Sequence, residues 1–193
     1  LATWKRKGGL TPSDKASPVL PRLAARVQDM TEQDQVGPQA VANVLYSLGK
    51  LSDDLEVPEG LLMALVKSLG DKARGMNSQG LSNSLWASAK LKHVAPQVFT
   101  ALPELAAQIS IKAKDMVPQA LSNSLWASAQ LKDITPDVRE IVLALVAPIN
   151  VTVKDMIPQD LSNSLWAATR LKDDAPEVLQ MVPALVEEIP RKQ

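Results

Sequence analysis

The chain lacks most of the side chains that catalysis and metal binding require. It has no cysteine, which excludes disulfide bonds and thiolate metal sites. Its one histidine, His93, occupies a turn position that is aspartate in the other copies of a repeat and is interpreted as a surface residue. Because the chain has no second histidine and no glycine-rich phosphate loop, it lacks the residues that a nucleophilic catalytic site or a nucleotide-binding site requires. The sequence therefore predicts a protein that is not an enzyme and that holds no metal and no cofactor.

Net charge and long hydrophobic runs are also missing. The chain has 21 basic and 21 acidic residues, so no excess charge indicates a polyanionic partner. The longest apolar run, at 141–149, is much shorter than the roughly 20 residues that span a bilayer. We therefore expect no membrane span. No transit peptide is visible in the chain.

What the chain does have is a phrase that returns every 40 residues. LSNSLWASA occurs at 81–89 and at 121–129, returns as LSNSLWAAT at 161–169, and has a worn copy, VANVLYSLG, at 41–49. A fixed period of this length is typical of stacked helical repeats. Such arrays present a long surface to a partner. We predict an all-α fold, an alpha-solenoid of about four 40-residue helical-hairpin repeats plus a leading half-repeat.

The boundaries of the predicted domain follow the phrase. The solenoid is expected to span 19–193, with its repeats at approximately 35–74, 75–114, 115–154 and 155–193. Its first residues, 19–27, resemble 101–109 and are interpreted as the second helix of the leading half-repeat. Residues 1–18 are predicted to form a flexible polar and basic leader that contains Lys5, Arg6 and Lys7.

The unit 115–154 illustrates the expected helix ends. Asp115 is predicted to cap a first helix that ends near Leu131, and Thr135 to cap the second helix, with Pro136 at its first position. Two other prolines, Pro103 and Pro183, fall well inside predicted second helices. Because proline removes a backbone hydrogen bond there, these helices must either kink or restart at the proline after a short turn.

The motif PQALSNSLWASAQLK at 118–132, with its copies at 158–172 and 38–52, resembles the octotricopeptide repeat. It is also similar to the related repeats of FAST-kinase-type and RAP-domain proteins. The resemblance covers residues 37–190. It implies an alpha-solenoid of paired helices that acts on RNA in an organelle, either the chloroplast or the mitochondrion.

Four columns of side chains recur on the predicted first helices and share one stripe beside the apolar face, at i, i+4, i+7 and i+11. They are the glutamines Gln39, Gln79, Gln119 and Gln159, the asparagines Asn43, Asn83, Asn123 and Asn163, the aromatics Tyr46, Trp86, Trp126 and Trp166, and the mostly basic column Lys50, Lys90, Gln130 and Arg170. Amides can bond base edges, aromatics can stack on bases, and cations can contact phosphates. The same set would also suit an extended peptide.

Each column has a structural interpretation beside the functional one. Packing between units is favoured for the aromatics, a hydrogen-bond ladder between units for the asparagines, and first-turn capping or an exposed rim for the glutamines. Only the mostly basic column is expected to face solvent. Because the columns hardly vary, an RNA ligand should be bound with low sequence specificity.

Two functions stay open at this point. The first is single-stranded RNA binding in post-transcriptional RNA metabolism. The second is a protein-binding scaffold or accessory subunit of a large organellar assembly, with protein subunits as the partners.

Overall fold

The computed structural model describes residues 18–53 and 56–189. Within these ranges the chain forms nine α-helices and no strand, which confirms the predicted all-α class. The helices are α1 (Val19–Glu32), α2 (Pro38–Leu51), α3 (Glu59–Lys72), α4 (Ser78–Leu91), α5 (Leu102–Lys112), α6 (Pro118–Leu131), α7 (Asp137–Thr152), α8 (Pro158–Leu171) and α9 (Val182–Glu188). The predicted leader, with its Lys5–Lys7 cluster, lies outside the described residues except for Pro18.

The helices are arranged in two rows. In the first row α2, α4, α6 and α8 each pack on the next, and in the second row α1, α3, α5 and α7 do the same. A 3-10 helix, Pro176–Met181, packs on α7 and leads into α9. Each first-row helix also packs on the second-row helix that follows it. Equivalent residues of successive 40-residue units therefore lie beside one another.

Leucine and alanine residues of the phrase belong to the buried core that joins the stacked helices. Leu81, Leu85 and Ala87 of α4 are completely buried, as are the equivalent residues of α6. Leu81 and Leu85 are one turn apart on one face of the helix, whereas Ala87 lies on nearly the opposite side, close to Gly49 of α2. Second-row leucines such as Leu65 and Leu105 are buried against them in one continuous hydrophobic cluster.

The helix starts of the unit 115–154 differ from the sequence prediction at both of its helices. The predicted cap at Asp115 is wrong, because α6 begins at Pro118 with Val117 before it in extended backbone. A proline disfavours helical backbone at the residue before it, which here is Val117, so a helix does not run from Asp115 through Pro118. Asp115 instead ends a 3-10 turn. The start of the second helix differs as well, because α7 begins at Asp137 with Pro136, and not Thr135, directly before it. The hydroxyl oxygen of Thr135 does accept a 3.3 Å hydrogen bond from the backbone N–H of Asp137.

The two prolines inside the predicted second helices are accommodated in the same way. Pro103 and Pro183 are each the second residue of an α-helix, α5 and α9, and each helix is preceded by a 3-10 helix. Proline is tolerated there because the first residues of a helix have no intrahelical acceptor for their N–H groups. The helices therefore restart near the proline and do not kink at it. Pro148, in contrast, lies inside α7.

Candidate functional site

The structure brings the predicted contact residues together on the first-row helices α2, α4, α6 and α8. The glutamine is the second residue of each helix and is exposed in all four. The asparagine lies one turn further on, exposed in α2 and half-buried in the other three helices. The stripe inferred from sequence spacing is thus present as a continuous polar face.

The four aromatic residues form a row of rings along this face. The distance between ring centroids is 5.0 Å from Tyr46 to Trp86, 6.3 Å from Trp86 to Trp126, and 6.1 Å from Trp126 to Trp166. These distances are typical of favourable aromatic pairs. A base could not enter between two neighbouring rings unless the helices separated. The rings therefore contribute to packing between successive units.

Cations of the mostly basic column lie against these rings. The Nζ atom of Lys50 is 5.5 Å from the ring centroid of Tyr46 and 4.9 Å from that of Trp86. Lys90 spans the next two rings in the same way, at 5.6 Å and 5.5 Å, and the guanidinium carbon of Arg170 is 5.7 Å from the ring of Trp166. Each contact of this kind is favourable by electrostatic attraction to the ring.

These three cations keep their charge available to a ligand. Within the described ranges, Lys50, Lys90 and Arg170 form no ion pair with a carboxylate. The remaining member of the column, Gln130, is neutral, and its Oε1 lies 3.4 Å from the Nζ of Lys92. Positive charge therefore continues along the face except at α6.

Two other cations of the described chain, Lys132 at a turn and Arg139 in α7, are neutralised by carboxylates. Lys132 lies 2.8 Å from Asp174 and 3.2 Å from Asp133. The hydrogen bond to Asp174 and then the one to Asp133 raise the pKa of the Lys132 amine. Arg139 is paired with Glu177 at 2.8 Å. These charges contribute little to an anion-binding surface.

A groove of about 500 Å³ opens between α4 and α6 on the same face. We call it the amide groove, because five amide side chains contribute to its lining: Asn77, Gln79, Asn83, Gln119 and Asn123. Ser82 also lines it and donates a 3.0 Å hydrogen bond to the backbone oxygen of Ala120, which joins the two helices. Asp115 lines one side, and no lysine or arginine of the described chain contributes to the lining.

The amide side chains are not in the same state in all four units. In α2, Gln39 donates a 3.1 Å hydrogen bond to Asn43, and in α8, Gln159 donates a 2.8 Å hydrogen bond to Asn163. In the amide groove, by contrast, the side chains of Asn83 and Asn123 form no hydrogen bond with any described residue. Each of these two amides therefore keeps a donor group and an acceptor oxygen for a ligand.

Sequence reasoning missed part of the groove. Asn77, whose Oδ1 accepts a 2.8 Å hydrogen bond from the N–H of Gly80, and Ser82 were not among the candidate residues. Asp115 was considered only as a helix cap. A signal was present at that position, because its equivalent in the preceding unit is Gly75. A change between near-identical units marks a place where the surfaces differ.

Comparison of the chain with protein-family models, with curated proteins and with solved structures finds no match. The resemblance to octotricopeptide repeats therefore stays a prediction from the residues. In the part of the chain that the structure describes, no helix has the length and apolar character needed to cross a membrane. Nor do three or more acidic or histidine side chains cluster in the described ranges as a metal site would require. The geometry thus presents a polar face on an all-α framework of stacked helices.

Proposed function

We propose that this protein is a non-enzymatic alpha-solenoid whose first-row face binds single-stranded RNA with low sequence specificity. The proposed solenoid has four helical-hairpin repeats, at 35–74, 75–114, 115–154 and 155–193, behind a leading half-repeat. The observation that carries the proposal is that unpaired cations and unpaired amides lie on the same face, at Lys50, Lys90, Arg170, Asn83 and Asn123. An RNA role in organelle post-transcriptional metabolism is what the resemblance implies.

The basic column supplies the contacts with phosphate. Lys50, Lys90 and Arg170 lie on three different first-row helices, so a strand that follows the row meets one cation in three of the four units. For single strands, each phosphate contact contributes about −0.7 to the slope of log affinity against log salt concentration. Three contacts predict a slope of about −2, which is modest for a nucleic-acid-binding protein and agrees with the zero net charge.

The aromatic row supports this strand without intercalating between bases. Because each ring has its neighbours in the adjacent units, we expect the rings to hold the units together and to orient the cations. Bases would turn toward the amides of α4 and α6, which can bond base edges. Low specificity follows because the units offer the same side chains to every nucleotide.

Binding of fluorescently labelled uridine, cytidine and adenosine oligomers at increasing salt concentration tests the proposal. The measurement is fluorescence anisotropy with the full chain. We expect binding at low salt, a slope of about −2, and loss of most of this slope when Lys50, Lys90 and Arg170 are all replaced by alanine.

A matched control removes the same charge elsewhere. Arg22 and Arg26 of α1 and Lys67 of α3 are exposed on second-row helices, and none forms an ion pair with a described carboxylate. Replacing these three by alanine should leave the slope unchanged. Absence of binding to every oligomer at low salt would reject the RNA function. An equal loss in the control would show that phosphate is not bound at the basic column.

A second candidate function, a protein-binding scaffold or accessory subunit, rests on a different observation. An apolar groove of about 290 Å³ lies between α1 and α2, lined by Leu20, Leu23, Val27 and Val44 among others. Such a surface suits a protein side chain better than RNA. Under this function, native extraction should return a stable protein complex that survives nuclease treatment, and Leu23→Glu should dissociate it. Recovery of the native protein without any partner would argue against it.

A further inference from the structure

The amide groove differs from the rest of the first-row face in its hydrogen bonding. The glutamine and asparagine columns are identical in sequence in all four units, yet the pairs in α2 and α8 are closed by their own hydrogen bonds. The asparagines of α4 and α6 are open and line one groove of about 500 Å³. Its volume is within the range of sites that take small ligands. Of the four glutamine and asparagine pairs, those of α4 and α6 are therefore the ones whose asparagines stay open to a ligand, and both pairs line this groove.

The groove also has an electrostatic preference. Asp115 lines it and forms no ion pair with a described residue, and no described cation contributes to the lining. A carboxylate accepts hydrogen bonds and repels a phosphate or a carbonyl oxygen. A group that donates hydrogen bonds is therefore favoured at this position.

Resting on the RNA-binding function proposed above, we propose that the amide groove is a base-selective subsite within an otherwise nonspecific face. It selects a base that presents an amino group beside a ring nitrogen acceptor, as adenine and cytosine do. The carboxamide of Asn83 or Asn123 bonds both atoms of that edge, as asparagine does with adenine in nucleic-acid recognition. A second hydrogen from the amino group is available to Asp115.

Uracil fits the groove less well for the same reason. It has a carbonyl oxygen in place of the amino group, and that oxygen would face the carboxylate of Asp115 without a hydrogen between them. The asparagine carboxamide can turn over to bond the N3–H and the carbonyl oxygen of uracil, so the discrimination comes from Asp115. Loss of the hydrogen bond between the amino group and this carboxylate reduces affinity by about fivefold or more. Because the groove is open to solvent, we expect the lower end of this range.

Competition binding of the full chain separates the subsite from the phosphate contacts. The probes are uridine oligomers of equal length, about ten nucleotides, with or without two central adenosines or cytidines. We expect the substituted oligomers to bind about fivefold more tightly than the uridine-only oligomer at the same salt concentration. The salt dependence should be the same for all of them.

Substitutions assign the preference to the groove. Asn83→Ala with Asn123→Ala should remove the preference while the salt dependence stays as it is. The matched control is Asn43→Ala with Asn163→Ala, which changes the same position in the two units whose amides are already paired, and it should keep the preference. If the first double variant does not fold, Asp115→Asn tests the groove through an exposed side chain, and we expect it to reduce the preference for adenosine and cytidine over uridine.

The outcomes distinguish this inference from the function on which it rests. Equal affinity for all oligomers would refute the subsite and leave nonspecific RNA binding in place. Failure of every oligomer to bind at low salt would reject the RNA function itself. A preference that survives in both groove variants would show that the base is selected elsewhere, which overturns the assignment to the groove.

Discussion

Replacing Trp126 by leucine removes a central ring of the aromatic row. Its ring centroid lies 6.3 Å from that of Trp86 and 6.1 Å from that of Trp166, and the Nζ of Lys90 is 5.5 Å away. Aromatic pairs contribute about 0.5–1.5 kcal/mol each beyond area burial, and an exposed cation–π contact about 0.5–1 kcal/mol. Two ring pairs and one cation therefore predict a loss of about 1.5–4 kcal/mol in the free energy of unfolding.

Trp166→Leu is the control for this prediction. Trp166 has one ring neighbour and Arg170, and it is 39% exposed. The same bookkeeping gives a smaller loss, about 1–2 kcal/mol. Urea unfolding, followed by far-UV circular dichroism, measures the free energy of unfolding of both variants. In a thermal melt of a chain of this size, each kcal/mol of lost stability lowers Tm by about 2–4 °C.

The comparison also tests what the rings do. If they pack the units together, Trp126→Leu should destabilise the chain more than Trp166→Leu, and Trp166→Leu should retain RNA affinity within about twofold. An equal or larger destabilisation by Trp166→Leu would refute the argument from ring contacts. A folded Trp166→Leu variant with a large loss of RNA affinity would show that this ring stacks on a base.

Three further predictions concern stability. Ser128→Ala should raise the free energy of unfolding by about 1 kcal/mol, because the buried Ser128 hydroxyl has no hydrogen-bond partner among the described residues. The control Ser88→Ala should change it little, because the Ser88 hydroxyl donates a 3.0 Å hydrogen bond one turn back. Urea midpoints measure both, and a lower midpoint for Ser128→Ala would contradict the reasoning. Pro148→Gln should stabilise α7 by about 1–3 kcal/mol because it restores an N–H inside the helix, and a lower Tm would contradict this. Because the pKa of Lys132 is raised in the fold, its pairing stabilises the fold fully at pH values below 10.5, the ordinary pKa of lysine. This stabilisation is lost as the pH rises through the folded-state pKa. Asp174→Asn should therefore lower the urea midpoint equally at about pH 7 and pH 9, and a difference that shrinks between them would count against the pairing.

The helices and their common stripe could be predicted from sequence because both are local properties. Leu81 and Leu85 are one helical turn apart, and Gln79, Asn83 and Trp86 follow the same spacing, so their faces are known once the segment is helical. The choice between a kink and a restart at Pro103 was not local. It depends on the 3-10 helix Pro96–Ala101, which packs on α3 of the preceding unit.

The state of the contact residues could not be read in the same way. Gln39 and Asn43 have the same residue types and spacing as Gln79 and Asn83. The side chains of the first pair are hydrogen-bonded to each other, whereas those of the second pair are not and line the groove. Spacing along one helix does not decide this difference. Asp115 is a second case, since its sequence context suggested a helix cap and only the position of α4 places it in the groove.

By itself, the sequence determined the all-α class, the two-helix content of each unit and the side chains that share the first-row face. It could do so because a 40-residue period and a 3.6-residue helical turn are written directly in the order of residues. The tertiary structure decided that the rings cover one another, that Lys50, Lys90 and Arg170 have no carboxylate partner among the described residues, and that Asn83 and Asn123 open into a groove. These properties depend on distances between units, which the packing of buried leucine and alanine side chains sets.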